Sequence, residues 1–254
     1  MKYCNTLIAV KDMEQSLQFY KDLFGQDVTL DLGWCKTLTC GLVLQEHFDK
    51  IAGFPEDTMK YCSNTMELYF ETENFEEFIA LLDKYPDVKR LHEPKTYSWL
   101  QKGIHIFEPN GHLIEVSESM YSVGCKQFEQ GKSVEETAEL TKHPIDVVQE
   151  WFQKYKSSMM SVCGTDCSTC YCYKKMCDGC NTCEGKVFHV PDGKACAIYE
   201  CVSHEKNLKD CGKCTEVPCN IWRATRDPKY SDEEFEENIS ARVKALKELG
   251  GAGV

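Results

Sequence analysis

The first 45 residues combine one segment of helical periodicity with short strand-like stretches. Helical spacing of apolar side chains predicts a helix over residues 12–24, and Gly25 is the kind of residue that ends helices. The apolar face of this helix consists of Met13, Leu17, Tyr20 and Phe24. Strands are predicted at residues 3–10, 27–30, 34–39 and 42–45. The predicted order is therefore strand, helix and three strands.

The same order of elements recurs in the next part of the chain. A strand is predicted at 66–70, a helix at 74–84, and further strands near Leu91, at 103–108 and at 112–117. Asn5 stands seven residues before Asp12, where the first helix starts. Glu67 likewise stands seven residues before Asn74, at the start of the second. A βαβββ unit written twice predicts an α+β domain with two curved sheets around a cleft.

Two segments of this region resemble a known family. VKDMEQSLQFYKDLFG at 10–25 and WLQKGIHIFEPNGHLIEVSE at 99–118 are similar to the first-helix and last-hairpin segments of the glyoxalase/bleomycin-resistance family, also called the vicinal oxygen chelate superfamily. The resemblance covers residues 1–119. It implies a glyoxalase-like domain that binds a small molecule, and a homodimer formed through this domain.

The resemblance also implies where a ligand would bind. In metal-dependent relatives four side chains hold an ion, and the repeat maps these positions onto Asn5, Gln45, Glu67 and Glu115. No catalytic transition metal is expected there, because the set has no imidazole and amide oxygens are weak donors to such ions. We expect a ligand-binding cleft with these four residues and Trp99 on its wall. The alternative is a metal-independent lyase or isomerase that uses Glu115 or Glu67 as general base.

Three histidines stand near these positions in the chain. They are His47, His105 and His112. A single histidine on a strand or turn is usually a structural residue with satisfied hydrogen bonds. We therefore interpret all three as structural.

Residues 120–160 predict a different structure. Apolar residues at helical spacing and a break at His143 and Pro144 predict a helical hairpin that links two domains. The segment resembles a helix-turn-helix, but its charges nearly cancel, whereas DNA-binding helices carry a basic face. The chain as a whole has a net charge of -12, which repels phosphate backbones. Nucleic-acid binding is not expected.

Twelve of the 17 cysteines fall between Cys163 and Cys219, many of them two residues apart. This segment has few large apolar residues, so cross-links must offset its ordering entropy. The chain shows neither a secretory signal nor a membrane span, so we expect a cytoplasmic protein without a membrane partner. Thiols stay reduced in the cytoplasm, and closely spaced cysteines there indicate metal sites rather than disulfides.

The motifs CGTDCSTC, CDGC and CGKCTEVPC resemble a Cys-rich domain family of unknown function, DUF3795, which is taken to bind zinc. The resemblance implies structural zinc, with one to two or more ions. The expected ligands are Cys163, Cys167, Cys170, Cys177, Cys180, Cys196, Cys201, Cys211, Cys214 and Cys219. Cys172 and Cys183 are extra to the pattern, and His189 and His204 are further candidates. An iron–sulfur cluster is the less favoured alternative, since thiolates bind iron and zinc alike.

These observations predict four segments. A small-molecule-binding glyoxalase-like domain occupies 1–119, a helical linker 120–160, a zinc-stabilised Cys-rich domain 161–249, and a flexible tail 250–254. A third function class also stays open, a metal- or thiol-sensing adaptor in which the first domain serves as a dimerisation scaffold.

Overall fold

The computed structural model describes residues 1–62, 64–188, 190–191, 193–226 and 229–251. Within these residues the chain divides into two units. Unit 1 comprises residues 1–127 and 135–143. Unit 2 comprises 128–134 and the described residues from 144 onwards.

The strands of unit 1 form two four-stranded mixed sheets, one from each sequence repeat. Sheet 1 contains β1 (Leu7–Ala9), β2 (Val28–Asp31), β3 (Cys35–Leu38) and β4 (Val43–Gln45), in the order β1-β4-β3-β2. Sheet 2 contains β5 (Glu67–Thr72), β6 (Lys95–Thr96), β7 (Lys102–Phe107) and β8 (Leu113–Glu118), in the order β5-β8-β7-β6. In each sheet the first strand runs parallel to the last, and the remaining pairs are antiparallel. The predicted α+β fold with two βαβββ units is confirmed.

The helices of the two repeats begin at side-chain caps. Unit 1 contains α1 (Met13–Phe24), α2 (Phe48–Ala52) and α3 (Phe75–Leu82). The Asp12 carboxylate accepts the Gln15 N–H at 3.0 Å, which satisfies a free donor at the start of α1. Asn74 caps α3 in the same way, accepting the N–H of Glu77 at 3.4 Å. Gly25, with φ 63°, ends α1 in the left-handed conformation.

A single apolar core joins the two repeats of unit 1. Ile8 and Leu44 of sheet 1 and Ile104 and Ile114 of sheet 2 are at most 2% exposed. Because side chains alternate along a strand, the residues between these apolar positions of β5, β7 and β8 lie on the opposite, open face of sheet 2. That face carries the polar side chains described below.

Two elements of unit 1 differ from the sequence-based expectation. The predicted strand near Leu91 is absent among the described strands; the Leu91 N–H bonds the His105 carbonyl at 2.8 Å, and Arg90 forms an isolated bridge with Ile106. The strand β6 starts only after Pro94, because proline cannot donate a ladder hydrogen bond. Helix α2 was not expected from the periodicity, because five residues are too few to show it.

Helices and short turns make up the rest of the chain. They are α4 (Met120–Glu129), α5 (Val134–Thr141), α6 (Ile145–Met159), α7 (Ala197–Tyr199), a π-helix (Glu200–Glu205), α8 (Asn220–Ala224), α9 (Asp232–Gly251), and 3-10 turns at Glu56–Thr58, Cys167–Thr169 and Cys211–Lys213. Residues 252–254 of the expected tail lie outside the described residues. Among the described helices, none combines the length and hydrophobicity that crossing a bilayer requires.

Unit 2 has a smaller core of its own. Trp222 is 1% exposed and packs with Ile198, Val202, Phe235 and other apolar residues of α7, α8 and α9. The guanidinium of Arg242 lies 4.2 Å from the centroid of the Trp222 ring. This core holds less than half as many buried side chains as that of unit 1. The apolar packing of unit 2 is therefore thin, as its sequence indicates.

Candidate functional site

Three ionisable side chains converge on the open face of sheet 2. Glu67 starts β5, Glu115 lies in the neighbouring β8, and His105 lies directly opposite Glu115 in β7. One ligand atom from each lies within 4.8 Å of the other two. We call these residues the Glu–His–Glu cluster. In the described part of the chain, no other group of three His, Cys, Asp or Glu is this close.

A chain of hydrogen bonds runs through the imidazole of the cluster. His92 Nδ1 lies 2.7 Å from the Glu93 carbonyl oxygen, and His92 Nε2 lies 2.9 Å from His105 Nδ1. His105 Nε2 in turn lies 3.1 Å from Oε2 of Glu67 and 3.7 Å from Oε2 of Glu115. The chain therefore has three links, from a backbone carbonyl to a carboxylate.

The number of protons on the two imidazoles decides whether all three hydrogen bonds can form. A carbonyl oxygen only accepts, so His92 Nδ1 must carry a proton, and a neutral His92 then accepts at Nε2. His105 must therefore donate from Nδ1, and a neutral His105 then turns the lone pair of Nε2 toward the Glu67 carboxylate. Two neutral imidazoles supply two N–H groups for three links. A third proton or a cation bound at Nε2 would complete the arrangement.

Two hydroxyl groups orient the Glu115 carboxylate. Oε1 accepts hydrogen bonds from the Tyr97 hydroxyl at 2.9 Å and from the buried Ser117 hydroxyl at 2.8 Å. Burial raises the pKa of Tyr97, and the hydrogen bond to Glu115 raises it further, so the hydroxyl remains a donor at neutral pH. Oε1 is thus occupied, and Oε2 faces His105.

Aromatic rings extend from the cluster. Trp99 stacks on Tyr97, with centroids 4.6 Å apart and planes at 3°. Trp99 Nε1 donates to Gln101 Oε1 at 2.8 Å, and Gln101 Nε2 donates to the Tyr69 hydroxyl at 2.8 Å. Burial is the main cause that raises the pKa of Tyr69 to about 12. Trp99 is therefore fixed next to the cluster, as an apolar surface with a polar edge.

The two amides expected in the cleft bond to backbone carbonyls, Gln45 at the end of β4 and Asn5 in the segment before β1, which starts at Leu7 rather than at residue 3. Asn5 is exposed and donates to the Gly41 carbonyl at 2.6 Å. Gln45 is buried at the end of β4 and donates to the carbonyls of Trp34 and Glu46 at 2.8 and 2.7 Å. A cavity of about 290 Å³ in unit 1 is lined by residues such as Phe48, Phe54, Met59 and His112 rather than by the cluster. Of the four mapped residues, the structure brings Glu67 and Glu115 together.

His105 corrects the expectation that no imidazole accompanies these carboxylates. The expectation was wrong because the mapped positions lie on the first and last strands of each repeat, whereas His105 lies on β7. The signal was present in the sequence: a hairpin that turns at residues 108–111 pairs His105 with Glu115 across β7 and β8. Of the other two histidines, His112 bonds the Ala9 carbonyl at 2.8 Å and His47 packs on the Trp34 ring.

The cysteines of unit 2 form two groups. The first cysteine group consists of Cys167, Cys177, Cys180 and Cys183, and the second consists of Cys201, Cys211, Cys214 and Cys219. Cys163 lies between the groups, near Cys180 and near Cys211. Among the other expected ligands, Cys170 and Cys196 are half-buried. Cys172, extra to the pattern, is fully buried. His204 bonds Glu200 at 2.6 Å, and His189 lies outside the described residues.

Direct thiol contacts characterise the first cysteine group. A hydrogen bond from Cys180 lowers the pKa of Cys167 to about 6, against the effect of burial, and the same bond raises the pKa of Cys180. Burial alone would raise the pKa of Cys163, but the Arg242 guanidinium and the hydroxyls of Ser161 and Thr165 lower it on balance. The pKa values of Cys167 and Cys163 are thus shifted toward the thiolate, the form that binds metals.

The second cysteine group lines a cavity of about 410 Å³. Trp222 Nε1 donates to Cys211 Sγ at 3.3 Å, and Lys206 Nζ donates to Cys214 Sγ at 3.4 Å. Burial raises the pKa of Cys211 to about 12, although the Trp222 donor opposes this shift. The four cysteines thus line a common space whose wall contains both apolar and charged side chains.

Residues 3–121 match the family model described as the Glyoxalase-like domain. Similar solved structures include a protein of unknown function from Agrobacterium tumefaciens str. C58, which is 26% identical with a TM-score of 0.41 over 47% of this chain and 94% of that chain. A glyoxalase/bleomycin resistance protein/dioxygenase family enzyme from Burkholderia phytofirmans PsJN is 10% identical, with a TM-score of 0.41 over 45% of this chain and 96% of that chain. No curated protein matches the chain. The family match and the twice-repeated βαβββ unit identify residues 3–121 as a glyoxalase-like domain.

Proposed function

We propose that the glyoxalase-like domain binds a small oxygen-bearing organic molecule on the open face of sheet 2, through a divalent metal ion held by Glu67, His105 and Glu115. The convergence of two carboxylates and one imidazole within 4.8 Å carries this proposal. Three protein ligands leave coordination positions open, and an ion bound there would polarise an oxygen of the organic molecule.

The surroundings of His105 support a role as metal ligand. Its Nδ1 is bonded to His92, and this bond turns the Nε2 lone pair toward the two carboxylates. Metal-bound histidines commonly have such a partner at the second ring nitrogen, which fixes the tautomer and the ring orientation. An ion at Nε2 would also supply the positive charge that completes the hydrogen-bond chain.

Glu115 and the aromatic rings have separate roles in the proposed site. Oε1 of Glu115 is held by Tyr97 and Ser117, so the carboxylate can present Oε2 without losing its orientation. The stacked rings of Tyr97 and Trp99 offer an apolar surface beside the charged cluster. Apolar walls with a few polar anchors are the usual form of a small-molecule site.

Mn²⁺ titration of the full chain tests the metal site. Mn²⁺ prefers carboxylate and imidazole ligands over thiolates, so the cysteines of unit 2 interfere little. Electron paramagnetic resonance should show one tight site, and Glu115→Gln and His105→Gln should each weaken it by roughly 10-fold or more. His47→Asn is the control, because asparagine tolerates the left-handed φ of 52° at that position. Equal affinity in all four proteins would refute the proposal.

A metal-independent lyase or isomerase is the second candidate, favoured by the position of His105. Its Nε2 lies 3.7 Å from Oε2 of Glu115, so a proton donor and a general base stand side by side. The two candidates differ in whether Mn²⁺ binds the cluster. Absence of Mn²⁺ binding, together with turnover that Glu115→Gln abolishes, would favour the metal-independent reaction.

We also propose that the first cysteine group holds structural zinc, in a cytoplasmic protein whose thiols are reduced. The contact between Cys167 and Cys180 supports this, because thiolates that share an ion must be close.

We further propose that the protein forms a homodimer through unit 1. Leu30, Leu32 and Trp34 expose 50%, 66% and 53% of their surface, an apolar patch of the kind that marks interfaces.

A further inference from the structure

We propose that the second cysteine group holds an iron–sulfur cluster in the cavity between its four thiols, rather than a single zinc ion. The observations behind this proposal lie entirely in unit 2. It is therefore independent of the function proposed for the glyoxalase-like domain, and either can fail without the other.

Four cysteines from three separate segments line the same cavity. Cys201 lies in the π-helix after α7, Cys211 and Cys214 come from a 3-10 turn and the residue after it, and Cys219 immediately precedes α8. The cavity between them measures about 410 Å³. Four ligands that surround a cavity are the arrangement that a bulky inorganic group requires, whereas a single ion needs ligands that converge on one position.

The size of the space favours a cluster over one ion. Thiolates on a single tetrahedral zinc lie about 3.8 Å apart, because each Zn–S bond is about 2.3 Å long. A cubane cluster binds each cysteine at a different iron and therefore holds its four thiolates farther apart. The cavity of about 410 Å³ offers room for such a group.

The walls of the cavity match the needs of a cluster. Apolar side chains, including Ile198, Val202 and Ile221, form part of the wall, together with charged ones such as Lys206 and Glu216. Two of the four sulfurs already accept hydrogen bonds, Cys211 from the Trp222 indole and Cys214 from the Lys206 ammonium group. Hydrogen bonds to sulfur and the polarity of the surroundings are means by which proteins stabilise such clusters and set their reduction potentials.

The first test is the composition of the full chain, purified without oxygen and without added metal. We expect iron and acid-labile sulfide in equal amounts, roughly four of each per chain, together with broad visible absorption. Reduction with dithionite should bleach this absorption and produce a paramagnetic signal. A protein that contains zinc but no sulfide, with or without traces of iron, would overturn the proposal.

Variants then locate the cluster. Cys214→Ser and Cys219→Ser should each lose more than half of the iron and sulfide, whereas Cys4→Ser, at an exposed cysteine of unit 1, should retain both. Trp222→Phe keeps the aromatic packing but removes the N–H donor to Cys211, so it should keep the cluster and shift its reduction potential to a more negative value. Retention of the cluster in Cys219→Ser would refute the assignment, and circular dichroism verifies that each variant is folded.

Discussion

His105 dominates the chemistry of unit 1 because its two ring nitrogens face different partners. Nδ1 faces the ring of His92, and Nε2 faces two carboxylates. A neutral imidazole has one donor and one acceptor, so the partner of one nitrogen determines the role of the other. The identity of the residue at position 92 should therefore control binding at a site that it does not touch.

His92→Phe tests this control. Phenylalanine keeps an aromatic ring but removes the acceptor for His105 Nδ1, so the lone pair of Nε2 is no longer fixed toward the cluster. We expect Mn²⁺ affinity to fall by about 10–100-fold, the usual effect of removing such a partner. The titration used for His105→Gln measures it, with His47→Asn as control. Unchanged affinity would mean that the tautomer is fixed by other contacts.

Tyr97→Phe isolates the contribution of one hydroxyl group. The ring stays stacked on Trp99, but Oε1 of Glu115 loses a donor at 2.9 Å. Mn²⁺ affinity should decrease by about 10-fold, because the carboxylate is then free to rotate. Tyr69→Phe is a matched control, since its hydroxyl donates to Glu71 at 3.0 Å instead of to Glu115. Equal losses in the two variants would argue against an orienting role for Tyr97.

At the scale of elements, the β7–β8 hairpin positions most of the site. Its register places Gly103 opposite Ser117 and His105 opposite Glu115. A Cβ atom at Gly103 would lie 2.5 Å from Ser117 Oγ, 2.8 Å from Tyr97 Cε2 and 3.2 Å from Glu115 Oε1. Glycine is therefore needed here for space rather than for backbone conformation.

Gly103→Ala should disturb the site and the fold together. We expect the free energy of unfolding to fall by about 1–3 kcal/mol, the usual effect of overpacking, with a parallel loss of Mn²⁺ affinity. Chemical denaturation and the Mn²⁺ titration measure the two effects. The double variant Gly103→Ala/Ser117→Ala removes the shortest contact and should recover part of the stability. No recovery would indicate that the contact with Tyr97 dominates.

The elements could be predicted from the sequence more completely than the site. The repeat and its caps, Asp12 and Asn74, are local signals, and α1, α3 and most strands lie where periodicity predicts them. The Glu–His–Glu cluster depends on which residues face each other across β5, β8 and β7. Such register is a property of strand pairing, so mapping by the repeat found Glu67 and Glu115 and missed His105. The fold of sheet 1 and of the segment before it likewise directs Asn5 and Gln45 to backbone carbonyls.

At the scale of the whole molecule, the two units differ in what holds them together. The core of unit 1 extends through both sheets, whereas that of unit 2 is small and centred on Trp222. Bound metal can contribute about 10 kcal/mol or more to the folding of a thin core. Folding of unit 2 should therefore require its metal, whereas unit 1, with its larger core, should stay folded without metal.

Metal removal tests this difference. After treatment of the full chain with a strong chelator, hydrogen exchange should accelerate in α8 and α9 and stay slow in α1 and β8. Readdition of the metal should restore protection in unit 2, because ligand binding and folding are coupled there. Simultaneous loss of protection in both units would show that unit 1 also depends on the metals of the Cys-rich region.

The path of the chain between the units determines where the glyoxalase-like domain can be separated from the rest of the protein. The chain crosses from unit 1 to unit 2 after residue 127, returns after 134 and crosses again after 143. The returning segment carries Lys142, whose ammonium group bonds Ser98 at 2.6 Å and lies 5.9 Å from the Trp99 ring centroid. A truncation after residue 121 would remove the segment that carries Lys142, and a truncation after 143 would include residues 128–134 of unit 2. The boundary of the family match at residue 121 is therefore not a point at which the chain can be cut without loss of a contact to Trp99.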